Sequence, residues 1–214
     1  LNINYQRLLE EKLSDIEKTG IRPRLLLHSC CAPCSSHVIE YLSRFFDITV
    51  FFYNPNIHPA EEYRKRVIEQ REFIGRFPAA KGVTFAEGNY DPERFFELSK
   101  GLEDEPEKGR RCKVCFAMRL EAAARYGGEN GFDYFTTTLS ISPHKNSALL
   151  NSLGERIGRE NGIEYLCSDF KKKNGYKRSS ELSAEYGLYR QDYCGCVFSR
   201  LESEKRNSMN NKLE

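Results

Sequence analysis

Five short apolar runs recur along this 214-residue chain, and each of the first four leads into a stretch with helical spacing. The runs are Arg24 to His28, Asp47 to Tyr53, Val83 to Glu87, Asp133 to Thr138 and Ile163 to Cys167. Each has the length and hydrophobicity of a buried strand. The helical stretches are Ser35 to Phe46, Ala60 to Phe77, Pro92 to about Lys100, Cys112 to Tyr126 and His144 to Asn161. In the first of these, Val38, Ile39, Leu42 and Phe46 share one face. A helix over Tyr5 to Lys18 precedes them, striped by Leu8, Leu9, Leu13 and Ile16 and ended by Gly20 and Pro23. Asp91 is an N-cap ahead of Pro92. From Asp169 the pattern reads as irregular until a last helix near Val197 to Arg206. Alternating strands and helices specify an α/β fold, a mainly parallel five-stranded sheet with helices on both faces. One domain over residues 1–214 is expected, with an N-terminal helix in 1–20 and an irregular basic and aromatic segment over 169–214.

In such sheets the working site lies past the C-terminal ends of the strands. Cys30, Asn54 to His58, Gly88 and Asn89, Leu139 to His144, and Cys167 to Asp169 all follow predicted strands, so they share one rim. The chain has eight cysteines, and they come in groups: Cys30, Cys31 and Cys34; Cys112 and Cys115; Cys194 and Cys196. Only Cys167 is alone, and it reads as a plain buried cysteine. A chain of this length buries a core without disulfide staples. The polar, amphipathic N-terminus predicts no secretory signal and a cytosolic address. No stretch approaches the roughly 18 apolar residues of a membrane helix, so no membrane partner is expected. Clustered cysteines in that compartment point to metal or redox chemistry.

Cys112 and Cys115 form a C-x-x-C at a helix start, where backbone N–H groups and the helix dipole lower a thiol pKa. Together with the first group they supply enough sulfurs for four ligands. Zinc, an iron–sulfur cluster and thiol exchange all remain open on spacing alone. The adjacent pair Cys30 and Cys31 is awkward for a zinc knuckle, although zinc could use Cys31, Cys34, Cys112 and Cys115. Cys194-Gly195-Cys196 has one intervening residue, so a disulfide there would be strained and easily reduced. Two further metal ligands are the alternative.

Among the four histidines, His58 and His144 lie in loops at the rim, His37 reads as structural, and His28 fits a core or a site role equally. His144 and Lys145 follow TTTLSISP, whose hydroxyls and helix start suit an anionic group. Asp169 could supply an oxygen ligand or a proton. A net charge of +2 announces no nucleic-acid binder. It permits one if the charge is local, and Lys171 to Arg178 and Gly109 to Lys113 are dense in positive charge. Tyr186, Tyr189 and Tyr193 interleave with Arg190, which suits unstacked RNA bases and phosphates. Core tyrosines would explain part of that pattern. No Gly-rich phosphate loop is present, and the cysteines occupy the place after the first strand where one would sit.

Taken together, LHSCCAPCS, FFYNPNIHP with EYRKR, RCKVCFAMRLEAAA, GFDYFTTTLSISPHKN, FKKKNGY and LYRQDYCGCVFS resemble the QueH family of epoxyqueuosine reductases, from about Arg24 to Ser199. The resemblance implies the fold of adenine nucleotide hydrolase and PP-loop (HUP) proteins. It implies reduction of the epoxide of epoxyqueuosine at the wobble position of tRNA with a GUN anticodon, the last step of queuosine synthesis. It also implies a [4Fe-4S] cluster, carried here onto Cys30, Cys31, Cys112 and Cys115, with Cys34 a non-ligand. Cys194 and Cys196 would form a redox-active disulfide. An additional iron ion could activate the C–O bond, with Asp169, Asp15 or His58 as ligands. The electron donor stays unidentified. The alternative of another class is a zinc-stabilised RNA-binding module without catalysis.

Overall fold

The computed structural model describes residues 3–210, so the outermost residues of the expected 1–214 domain and its 169–214 segment lie outside it. The strands are β1 (Arg24–His28), β2 (Asp47–Phe52), β3 (Thr84–Glu87), β4 (Tyr134–Thr137) and β5 (Glu164–Tyr165). All pair in parallel, in the order β3-β2-β1-β4-β5. The α/β fold is therefore as expected, and the order is consistent with a HUP-type sheet.

Eight helices accompany the sheet among the described residues: α1 (Tyr5–Thr19), α2 (Ala32–Leu42), α3 (Ala60–Arg76), α4 (Pro92–Ser99), α5 (Arg110–Glu129), α6 (Ser147–Asn161), α7 (Gly175–Glu185) and α8 (Val197–Asn210). The pleat alternates side chains between two cores. Leu25 and Leu27 face one with α1 and α2, and Leu26 faces the other with α5 and α6. No helix among the described residues is long and apolar enough to cross a membrane.

The strand order reverses at β1, whose neighbours are β2 on one side and β4 on the other. A crevice opens at such a switch point, beyond the C-terminal strand ends. The register sets His28 beside Thr137, so the loops after β1 and β4 emerge side by side.

Several boundaries differ from expectation by one to four residues, among them the starts of α5 at Arg110 and α6 at Ser147 and both ends of α2 and β5. Helix α2 starts at Ala32 rather than Ser35, because Pro33 sits in its first turn, where a missing N–H does no harm. It ends at Leu42, not Phe46. The stretch after Asp169 is not irregular throughout, since α7 lies within it. Its apolar stripe is nearly absent because α7 meets its neighbours with small residues, Gly175, Ser179 and Ser183, beside Leu182. At Gly175 a Cβ would fall 1.9 Å from the Phe170 carbonyl oxygen and 2.9 Å from the His37 ring. That close approach requires glycine.

Candidate active site

Strand β1 delivers Ser29, Cys30 and Cys31 into the crevice. His28, fully buried, fixes this turn. Its Nε2 donates to the Tyr53 carbonyl (3.1 Å), which can only accept, so Nδ1 accepts from the Thr137 hydroxyl (2.8 Å). Burial pushes its pKa down to about 4, with the Arg119 charge adding to the effect. His28 is thus a satisfied core histidine. Asn54, also buried, donates to the Ser29 carbonyl (2.8 Å) and accepts from Arg119 Nη1 (3.3 Å).

The sulfurs of Cys30, Cys31 and Cys34 lie within 4.8 Å of one another, and this group could hold a metal ion. Cys30 and Cys31 Sγ are 3.8 Å apart, and Cys30 Sγ is 3.8 Å from Thr138 Oγ1 on the loop after β4. Hydrogen bonds from the Cys31 and Cys34 thiols hold Cys30 well below the usual thiol range, aided by the Lys145 and Arg119 charges. The same hydrogen bonds push Cys31 well up, and Cys34 rises to about 12. Cys30 is therefore the most acidic of the three thiols.

Two cavities adjoin. One of about 240 Å³ is lined by Cys30, Cys31, Cys34, Tyr176, Arg190 and Tyr193 among others. The other, about 210 Å³, is lined by Cys112, Cys115 and Cys196 with Phe95 and Phe116. Arg119, His144, Lys145, Glu107 and Cys194 line both. Every cysteine except Cys167 thus meets this double cavity. Cys167, expected to be buried, is only half-buried against the β4–α6 core.

Cys112 and Cys115 do not join the close sulfur group of Cys30, Cys31 and Cys34. Their chemistry also departs from the helix-start expectation. Helix α5 begins at Arg110 and both thiols are packed in, so burial raises Cys112 and pushes Cys115 up to about 11. Desolvation of a thiolate outweighs the helix-end field here.

Cys194 and Cys196 are free thiols with sulfurs 3.6 Å apart. Gly195 between them has φ +112°, a region L side chains rarely adopt. Ser199 Oγ lies 3.0 Å from Cys194 Sγ and 3.4 Å from Cys196 Sγ. The hydrogen bond between the two thiols holds Cys194 well below the usual thiol range and raises Cys196 in turn. This turn is fastened to α3 and the loop before it. The His58 N–H donates to the Gly195 carbonyl (2.9 Å), and Arg66 Nη1 to the Cys194 carbonyl (3.4 Å). Arg66 is in turn held by Glu62 at 2.7 Å. Further back, Tyr189 N donates to Glu69 Oε1 (2.6 Å), and Lys65 Nζ stands 3.2 Å from the Tyr189 ring centroid.

The three candidate second-metal ligands, Asp15, His58 and Asp169, line neither cavity. Asp15 is on the exposed face of α1, paired with Lys18. Asp169 accepts from Lys171 Nζ (2.5 Å) and Ser147 Oγ (3.2 Å). The basic stretches are largely neutralised. Lys171 pairs with Asp169, Lys173 with Glu10, Lys177 with Glu181 and Arg178 with Glu40. Arg111 is buried and donates to the carbonyls of Leu102, Glu103 and Glu105. Of the tail tyrosines, Tyr186 packs on Phe73 and Phe77, while Tyr193 faces the first cavity.

Arg119, Arg66 and Ser199 were not singled out from the sequence, whereas Asn54 was placed on the rim without a role. Two left a signal. Arg119 lies four residues after Cys115 on the buried side of a mostly apolar helix face that also carries Arg111, and Arg66 follows Glu62 at i,i+4.

A family model described as Epoxyqueuosine reductase QueH matches residues 25–202. A protein of Streptococcus pyogenes serotype M1 with that name is 48% identical over 199 residues, covering 92% of this chain and 78% of the relative. One of Staphylococcus epidermidis is 45% identical, covering 94% and 86%. One of Thermotoga maritima is 34% identical, covering 86% and 94%.

Proposed function

The chain belongs to the epoxyqueuosine reductase QueH family of oxidoreductases, and from that premise we propose that it reduces the epoxide of epoxyqueuosine at the wobble position of tRNA. The observation that carries this reading is the convergence of three separate cysteine groups on one double cavity at the sheet's switch point.

We assign an iron–sulfur cluster to four of these thiols. The donors are soft thiols, Cys30 and Cys31 from one cavity and Cys112 and Cys115 from the other. Arg119 and Lys145 stand on the shared wall, where they offset the negative charge of four thiolates. When bound there, a [4Fe-4S] cluster supplies single electrons at a potential set by its net charge and surroundings. Cys34 Sγ, left over from that set, lies within 4.8 Å of the Cys30 and Cys31 sulfurs and is the donor best placed for an additional iron ion.

The chain's own residues do the rest. Tyr176, Tyr193, Arg190 and Arg206 line the first cavity and suit an unstacked nucleoside and its phosphates. To Lys145, which lines the same cavity, we assign donation to the epoxide oxygen as negative charge develops on it. Cys194 and Cys196 carry two electrons and two protons as a dithiol, the amount that epoxide reduction to an alkene and water consumes.

The test is anaerobic reconstitution with iron and sulfide, followed by nucleoside mass spectrometry of tRNA carrying epoxyqueuosine. The wild type should hold iron and sulfide and form queuosine. Cys30→Ser and Cys112→Ser should lose iron, and Cys194→Ser should lose multiple turnover. A colourless protein that holds zinc and binds RNA without turnover would replace this reading by the RNA-binding module.

A further inference from the structure

The two sulfurs of the C-x-C turn are not equivalent. Cys194 is half-buried and its side chain lines both cavities. Cys196 is 5% exposed and lines only the second. It sits immediately before α8, and its Sγ receives the Ser199 N–H at 3.4 Å, as an N-cap side chain would. The Ser199 hydroxyl bridges the pair, closer to Cys194 (3.0 Å) than to Cys196 (3.4 Å), and is itself 2% exposed.

We propose that Cys194 is the exchanging sulfur, the one that meets substrate and incoming thiols, that Cys196 is the resolving sulfur, and that Ser199 is the positioning residue that keeps this order. The proposal rests on the reading of Cys194 and Cys196 as a redox pair. Closing the pair breaks two S–H bonds, forms one S–S bond and releases two electrons and two protons. The epoxide takes up both, its oxygen leaving as water. Reopening requires an external thiol. Its thiolate attacks Cys194 Sγ, the S–S bond breaks, and the leaving thiolate forms on Cys196, where the Ser199 N–H already points. A second external thiol then attacks the mixed disulfide and frees Cys194. Attack on Cys196 instead would have to come through the second cavity alone, where that sulfur is 5% exposed and packed with Phe95, Cys115 and Met118.

Trypsin isolates the pair on one peptide, Gln191–Arg200, which holds no other cysteine. The reconstituted protein is exposed anaerobically to glutathione disulfide, digested and followed by mass spectrometry. In Cys196→Ser, Cys194 should acquire glutathione at least ~10-fold faster than Cys196 does in Cys194→Ser. In urea the two rates should converge, because the difference belongs to the fold. Equal rates in the folded protein, or faster labelling of Cys196, overturn the assignment. Ser199→Ala should shrink the difference and Ser199→Thr, which keeps the hydroxyl, should restore it; an undiminished difference in Ser199→Ala removes Ser199 from the proposal. In the wild type the peptide should end as the internal Cys194–Cys196 disulfide. If it ends as glutathione adducts alone, the redox-pair reading itself fails, an outcome distinct from a wrong order within a pair that does close.

Discussion

Gly195→Ala is the sharpest test of how the C-x-C turn is held. At φ +112° an L residue is strained, at about 1–3 kcal/mol. The added Cβ would also stand 3.0 Å from Ile57 Cγ1 and 3.1 Å from Arg66 Nη1. Neither neighbour yields readily. Ile57 is 1% exposed, and Arg66 is pinned by Glu62. The penalty therefore belongs in the upper part of the range, about 2–3 kcal/mol. If the turn keeps its shape, Tm falls by roughly 4–12 °C, at about 2–4 °C per kcal/mol for a chain of this size. If the turn relaxes, the same energy is lost from closure of the proposed Cys194–Cys196 disulfide, roughly 30- to 150-fold in its equilibrium constant. Thermal melting and a glutathione redox titration of the Gln191–Arg200 peptide measure the two shares. A variant whose Tm stays within about 1 °C and whose closure constant is unchanged would refute the argument that this glycine holds the sulfurs together.

Three further outcomes follow from particular residues. His28 is buried neutral with a pKa near 4 against about 6.5 unfolded. Its share of stability is complete above about pH 6.5 and is lost as pH falls toward 4, amounting to about 3 kcal/mol at the limit. Urea midpoints of the wild type and His28→Gln should converge over that window, and parallel curves would contradict it. Arg111→Met leaves three loop carbonyls and Glu202 without their shared partner, at about 2–4 kcal/mol, so calorimetry should show Tm lowered by roughly 5–15 °C. Lys172 has no ion pair among the described residues, whereas Lys171 and Lys173 do. Lys172→Glu should therefore weaken binding of an anticodon stem-loop RNA more than Lys173→Glu and lower the salt slope by about 0.7–0.9. An equal loss from both would show that RNA phosphates displace the exposed Glu10 pair, which is worth only about 0–1 kcal/mol.

Much of the sheet was legible because buried parallel strands are short continuous apolar runs. Arg24–His28 is bounded as its hydrophobicity suggested, and Asp91 caps α4, accepting from the Arg94 N–H. Helix α7 was not legible, because a helix that packs through Gly175, Ser179 and Ser183 has no apolar stripe to read. The crowding of cysteines was legible, and so was the place of Cys30 and Cys31 on the rim, since loops after parallel strands share one edge; Cys112, Cys115, Cys194 and Cys196 follow no strand, and Cys167, which does, lines neither cavity. The partners of the charges were not. Lysine and arginine look alike in sequence whether they face a phosphate or a carboxylate, and only the fold brings Glu40 to Arg178 or Glu10 to Lys173.

The sequence by itself determined the α/β alternation, the position of Cys30 and Cys31 at the end of the first strand, and the family, because these depend on local hydrophobicity and on motif order. Only the tertiary structure decided which sulfurs are neighbours. It brought Cys34 beside Cys30 and Cys31 by starting α2 at Ala32, and placed Cys112 and Cys115 in an adjoining cavity that shares Arg119 and Lys145 with theirs. It also folded the Cys194 turn back over α3, onto residues more than a hundred positions earlier in the chain. Contacts at that separation arise from how helices and strands pack, and no spacing along the chain encodes them.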